Sequence, residues 1–196
     1  PTLRDNKDYT SIVNDKQYNR LQGYLEDARE QGATIVELNT KKESLTEVRK
    51  IAPTLLTGVT TEMEIMKNEI FGPILPILEY EHIEDAIQFI NSRPRPLAFY
   101  YFDIDMARAD YVAGRTHSGH FGINQTLTHV AQDDLPFGGI GASGMGKYHG
   151  KEGFFSFSHE RSMMSNPVSP KLYSLQLILP PYNKPTHKLL FKPPFR

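Results

Sequence analysis

The chain has 196 residues with 22 Lys and Arg against 23 Asp and Glu, seven His and no Cys, for a net charge of −1. That length suffices for one domain with a real core, and the near-neutral balance excludes the basic footprint of a nucleic-acid binder. The absence of cysteine excludes disulfides and thiolate metal sites, and no apolar run approaches the roughly 20 residues that span a bilayer, so the chain reads as a cytoplasmic globular protein.

Residues 1–11 are polar and read as a frayed lead-in. Asp15 is the candidate N-cap of a helix carrying Tyr18, Leu21, Leu25 and Ala28 on one face and stopped by Gly32. Ala33–Leu38 reads as a strand and Thr40–Arg49 as a charged connection. Pro53–Val59 and Pro73–Tyr80 are short β-rich apolar runs, joined by the polar segment Thr61–Phe71. In His82–Ser92, Ile83, Ala86, Ile87 and Ile90 follow the i, i+3, i+4, i+7 spacing of a helix with one buried face, which Pro94 and Pro96 end. Leu97–Phe102 is a continuous apolar run, the pattern of a strand covered on both faces. Asp105–Ala113 reads as a second short helix closed by Gly114, and Ser118–Asn124 as another strand. This alternation predicts an α/β fold with a largely parallel sheet and flanking helices. Seven of the 14 glycines fall within 138–153, which predicts a stretch that is neither ordinary helix nor sheet. Seven of the 14 prolines fall within 167–196, which predicts an extended C-terminal arm over 166–196 beyond a domain spanning 1–165.

Two short motifs carry chemical meaning. In Glu69-Ile70-Phe71-Gly72-Pro73, Gly72 and Pro73 set a tight turn into the next strand and hold the preceding side chains at its edge. A carboxylate there can accept hydrogen bonds from the two vicinal hydroxyls of a ribose. In an extended segment the ring two residues on points the same way and can lie against a nicotinamide. A solvated glutamate beside a core phenylalanine is the plainer alternative. The second motif is Pro136-Phe137-Gly138-Gly139, which opens the glycine-rich stretch. There Gly139-x-Gly141-x-x-Gly144 matches the dinucleotide fingerprint only in letters: no strand precedes it, and Gly144, Gly146 and Gly150 spoil the helix that should follow. Ser143 lacks the flanking glycine spacing of a nucleophile elbow. His117, His120 and His129 lack a carboxylate at ligand spacing, so no metal site is assigned and His129 is read as making structural hydrogen bonds. Asp133 and Asp134 read as a solvated pair.

The order of the pieces resembles the aldehyde dehydrogenases, in their class 3 branch, over about residues 8–165. It runs through Ile51-Ala52-Pro53-Thr54-Leu55-Leu56, Glu69-Ile70-Phe71-Gly72-Pro73, Gly122-Ile123-Asn124, Pro136-Phe137-Gly138-Gly139, Tyr148-His149-Gly150 and Phe157-Ser158-His159. Tyr9-Thr10-Ser11-Ile12 and Thr128-His129-Val130-Ala131-Gln132-Asp133-Asp134-Leu135 are similar to the coniferyl aldehyde dehydrogenases within that branch. Asn68, His120 and Gln125 depart from the family's usual acidic residue, glycine and aspartate.

The resemblance implies the C-terminal part of an NAD- or NADP-dependent enzyme that oxidises an aldehyde, coniferyl-type aromatic ones included. Glu69 would bind the nicotinamide-side ribose, Phe71 would pack near the nicotinamide, and Leu97 would lie beside it. Phe137 would stand at the inner end of the substrate tunnel, and Asn124 would be structural. Residues near Arg161–Met164 would form the strand used in assembly, making a homodimer. The family's reaction uses a cysteine thiolate, and no side chain here replaces one, so no catalytic residue is assigned and the chain alone is expected to be inactive. A cysteine-less assembly or scaffold module derived from the same family is the alternative.

Overall fold

Asn14, not Asp15, opens the first helix. In this computed structural model, which describes residues 2–165 and Pro180, the Asn14 side-chain oxygen accepts the Gln17 N–H at 2.9 Å. That satisfies one of the donors a first turn leaves free, and Asp15 follows as the first helical residue, its charge complementing the positive helix end. Helix α1 (Asp15–Glu30) buries Leu21, Leu25 and Ala28, the predicted stripe. Gly32 follows the Gln31 cap at φ +92, a conformation glycine adopts without steric cost.

The chain divides into two compact units between Phe89 and Ile90. In the first, β1 (Thr34–Glu37), β2 (Thr54–Thr57) and β3 (Ile74–Pro76) form one sheet in that order. β1 runs antiparallel to β2, with Thr34 opposite Thr57, and β3 runs parallel to β2, with Thr54 opposite Ile74. α1 packs on this sheet: Leu21, Leu25 and Ala28 share a core cluster with Leu56 and Ile74. Burying a leucine such as Leu21, which is wholly inaccessible, contributes about 1.5–3 kcal/mol.

The connection over 61–71, expected as a polar link, contains a one-turn helix, α2 (Glu64–Lys67). Met63 and Ile65 are buried in the same cluster. Four residues are too few to show a helical period, and the Asp27 carboxylate of α1 accepts the Glu64 N–H at 2.8 Å to hold the turn in place. Nor is the lead-in frayed. Glu43 accepts the backbone N–H groups of Leu3 and Arg4, and the Arg4 N–H followed by that of Leu3 holds its carboxyl below the usual range. The buried Lys50 ammonium donates to the carbonyls of Leu3, Arg4 and Asn6 at 3.0, 2.7 and 2.9 Å.

Helix α3 (Ile83–Asn91) runs across the division between the units and buries Ile87, as its spacing predicts. In the second unit β4 (Ala98–Tyr101) pairs in parallel with β5 (His120–Ile123), with Phe99 opposite Phe121, joined through α4 (Met106–Ala113). Asp105 caps α4 by accepting from Ala107 N and Arg108 N, and Gly114 closes it. All four β4 residues are half-buried rather than covered on both faces. Among the described residues β4 pairs with β5 alone, and a two-stranded ladder leaves its outer edges open. Two of the three described strand pairings are parallel, so the chain adopts the expected α/β layering.

The glycine-rich stretch departs from expectation in part, because Gly150–Ser156 forms a helix, α5. Gly150 opens it at φ +49, a left-handed conformation that glycine adopts without steric cost. Arg161–Met164, expected to form the assembly strand, form no strand and are exposed. A strand needs a neighbour to complete its ladder, and among the described residues none pairs there. The expected arm over 166–196 lies outside the described residues, Pro180 excepted.

Candidate functional site

Each unit carries a groove that gathers predicted residues. In the first unit a groove of about 750 Å3 is lined by Asn14, Gln17, Arg20, Glu69, Phe71 and Gly72, among others. Glu69 is exposed, and among the described residues its carboxylate has no partner. Phe71 is 83% exposed. The segment is not extended at this point, since Phe71 has φ +49, a left-handed conformation a bulky side chain adopts only under constraint.

The constraint comes from α1. The Arg20 guanidinium donates to the Glu69 carbonyl at 2.9 Å and to the Ile70 carbonyl at 2.7 Å. Arg20 is aimed by its own bonds to the Gln17 side chain and the Tyr24 hydroxyl. One helical arginine therefore ties down the backbone of the glutamate motif and leaves the Glu69 side chain in the groove. On the far side of the turn a Cβ on Gly72 would lie 2.6 Å from Leu21 Cδ1, so α1 packs on the turn at a distance that suits glycine. Sequence reading missed Arg20 and Gln17. Their signal is a polar stripe at 17, 20 and 24, beside the apolar stripe that attracted the assignment of α1.

In the second unit a groove of about 720 Å3 is lined by Leu97, Phe137, Gly138, Met145, Tyr148 and Phe157, among others, so Leu97 and Phe137 line one groove. Phe137 and Tyr148 form an isolated antiparallel bridge, exchanging N–H···O bonds of 2.9 Å in both directions. The glycine-rich loop folds back here because backbone lies on backbone: a Cβ on Gly138 would meet the Gly146 carbonyl oxygen at 2.1 Å. The Ser143 hydroxyl is engaged with the Ile140 backbone, donating to its carbonyl at 3.1 Å and accepting its N–H at 2.9 Å.

Behind Phe137 the histidines stack. His120 and His129 lie face to face, with centroids 3.6 Å apart and 6° between planes, and the His129 ring lies 5.7 Å from that of Phe137. Imidazole lone pairs lie in the ring plane, so two stacked rings do not converge on a common metal. The structural hydrogen bonds expected of His129 are absent, because neither of its buried nitrogens has a partner among the described residues. The ring is held by its faces instead.

Asn124 has the structural place expected of it. Its side-chain oxygen accepts the Asp103 N–H at 2.9 Å and its amide nitrogen donates to the Asp103 carbonyl at 2.7 Å. Asp103 in turn receives two bonds from Arg108, of 2.6 and 2.9 Å. The Arg108 guanidinium first, then the Asp105 N–H and the Tyr101 hydroxyl, hold the Asp103 carboxyl well below the usual carboxylate range.

The family model of the aldehyde dehydrogenase family matches residues 1–163. A protein of Pseudomonas aeruginosa named "Probable coniferyl aldehyde dehydrogenase" is 50% identical over 192 residues, 98% of this chain and 39% of that protein. The substrate-bound structure of AldH from Staphylococcus aureus superposes with a TM-score of 0.76 at 41% identity, over 97% of this chain and 39% of that one. The aldehyde dehydrogenase of Mycobacterium tuberculosis complexed with NAD+ superposes with a TM-score of 0.67 at 33% identity, over 75% of this chain and 30% of that one. The chain thus spans about two fifths of the length of the first two.

Proposed function

The chain belongs to the aldehyde dehydrogenase family, and on that premise we propose that it supplies cofactor-binding and substrate-facing surfaces to an NAD(P)-dependent aldehyde dehydrogenase. The observation that carries this reading is the groove at Glu69, where an exposed carboxylate without a partner among the described residues and an exposed ring stand on a backbone clamped by Arg20. The residues fit a nicotinamide nucleotide. Glu69 accepts the vicinal hydroxyls of its ribose and Phe71 presents apolar surface to its ring; Leu97, in the second unit, presents apolar surface in its own groove. When bound, that cofactor supplies the hydride acceptor.

Phe137, with Tyr148 and Phe157, offers aromatic surface to the substrate, and this supports aromatic aldehydes of the coniferyl type. Both units then belong to one catalytic domain in a cytoplasmic enzyme. Its homodimer contact draws on Arg161–Met164, where Met163 and Met164 are 90% and 85% exposed. The nucleophile comes from elsewhere in the enzyme, since these 196 residues contain no thiol.

Glu69→Gln in the enzyme that carries this segment tests the reading. It keeps the shape and removes charge-assisted hydrogen bonds worth about 1.5–3 kcal/mol, so cofactor affinity falls about 10- to 150-fold. The hydride-transfer rate falls with it, because ribose placement sets the ring's distance from substrate. Affinity and rate both unchanged would make Glu69 a solvated turn residue and remove the cofactor assignment.

A further inference from the structure

We propose that His120 and His129 form a proton-sensitive pair that sets the position of the Phe137 ring, so that the groove wall at Phe137 changes with pH. The consequence for substrate rests on the reading of Phe137 given above; the switch itself does not.

Four rings stand in a column. His120 lies on His129 at 3.6 Å and 6°, His129 on Phe137 at 5.7 Å and 29°, and Phe137 on His149 at 5.9 Å and 29°. His129, 4% exposed, is the inner member, and neither of its nitrogens has a hydrogen-bond partner among the described residues. An ionised ring there would have no acceptor for either N–H. His120 is half-buried, and its Nε2 lies 3.4 Å from the Gln125 amide nitrogen. His120 is thus the member of the pair with a polar neighbour.

What faces the pair makes that proton disruptive. From β4 the Tyr100 ring packs at 6.4 Å from His120 and 5.8 Å from His129, and its hydroxyl accepts the Leu127 N–H. Beyond Phe137 stand His149 and Tyr148. Among the described residues no carboxylate forms an ion pair with either imidazole of the pair. Burial first, and then the His129 ring, holds His120 below the ordinary imidazole range.

The neutral His120 ring accepts from the Gln125 amide at Nε2. Once protonated it carries N–H on both nitrogens and meets that amide donor to donor. Gln125 cannot turn freely, because its side-chain oxygen accepts the Thr128 hydroxyl. Thr128 is the residue before His129, and Leu127 ahead of it is held at φ +63. A proton on His120 thus displaces the 125–129 segment, the ring of His129 with it, and so the support under Phe137.

The test is an NMR titration of the 196-residue chain, with histidine and phenylalanine rings labelled, between pH 8 and pH 5. We expect His120 to titrate with a midpoint below about 6.5 and the Phe137 ring signals to move with that same midpoint. His120→Phe keeps a ring on His129 but takes no proton, so the Phe137 response disappears. Gln125→Met removes the opposing donor, so the His120 midpoint rises; this variant also serves if His120→Phe does not fold. Phe137 signals that stay flat while His120 titrates would overturn the proposal. So would a Phe137 response that survives His120→Phe, or a midpoint unmoved by Gln125→Met. Failure of the substrate reading shows separately, as an unchanged KM for aromatic aldehydes in an enzyme carrying Phe137→Leu.

Discussion

Gly119 and Gly138 meet backbone to backbone: a Cβ on Gly119 would lie 2.1 Å from the Gly138 carbonyl oxygen and 2.7 Å from that of Leu97. The start of β5 is thereby pressed against the glycine-rich loop, and this contact brings Leu97 and Phe137 to one groove. Gly138→Ala and Gly119→Ala both force a backbone shift, with an expected cost of about 1–3 kcal/mol or more. Gly72→Ala meets only a leucine side-chain end, and its expected cost is about 1 kcal/mol. Denaturant midpoints of the three variants check this order, and a Gly72 variant as damaged as the other two contradicts it.

Arg20 gives a second prediction. Arg20→Lys keeps the charge and loses the fork that reaches the Glu69 and Ile70 carbonyls together. The expected result is a loss of about 1–2 kcal/mol in stability and faster amide exchange over residues 69–72. Exchange no faster there than in the wild type would mean that the Phe71 conformation holds without the clamp.

Lys50→Met replaces the buried ammonium with an apolar chain of similar length. Three carbonyls then lose their donor, and the expected cost is about 1.5–3 kcal/mol. The lead-in should also become open to proteolysis near residues 3–6, which a timed digestion measures.

The Asp103 carboxyl, held low by Arg108, makes stability depend on pH in acid. Its folded value lies below its unfolded value of about 3.9, so the contribution is complete above that pH. It is lost as pH falls through the folded value, where the native carboxylate at last takes its proton. Wild-type stability should therefore drop more steeply below pH 4 than that of Asp103→Asn, and parallel acid profiles would refute the assignment.

The groove residues show where sequence reading reaches and where it stops. The helices α1, α3 and α4 were legible because each has a cap or a 3.6-residue apolar stripe, and Glu69 and Phe137 because each sits in a short motif with turn residues attached. α2 was not legible, being a single turn whose Met63 and Ile65 carry no period until α1 is there to bury them. The order of the lead-in is illegible for the same reason: what holds it are Glu43 and Lys50, some 40 residues away in the chain.

By itself the sequence determined α1, α3, α4, the five strands, their order and the family, because propensity, periodicity and local motifs act over a few residues. Only the tertiary structure decided which side chains act together. Arg20 clamps the Glu69 backbone from 49 residues away, and His129, whose nitrogens have no partner among the described residues, stacks on His120 and Phe137. The first joins segments distant in sequence, which chain closure, not local preference, brings within reach. The second joins residues closer in the chain, through the path of the loop that follows β5.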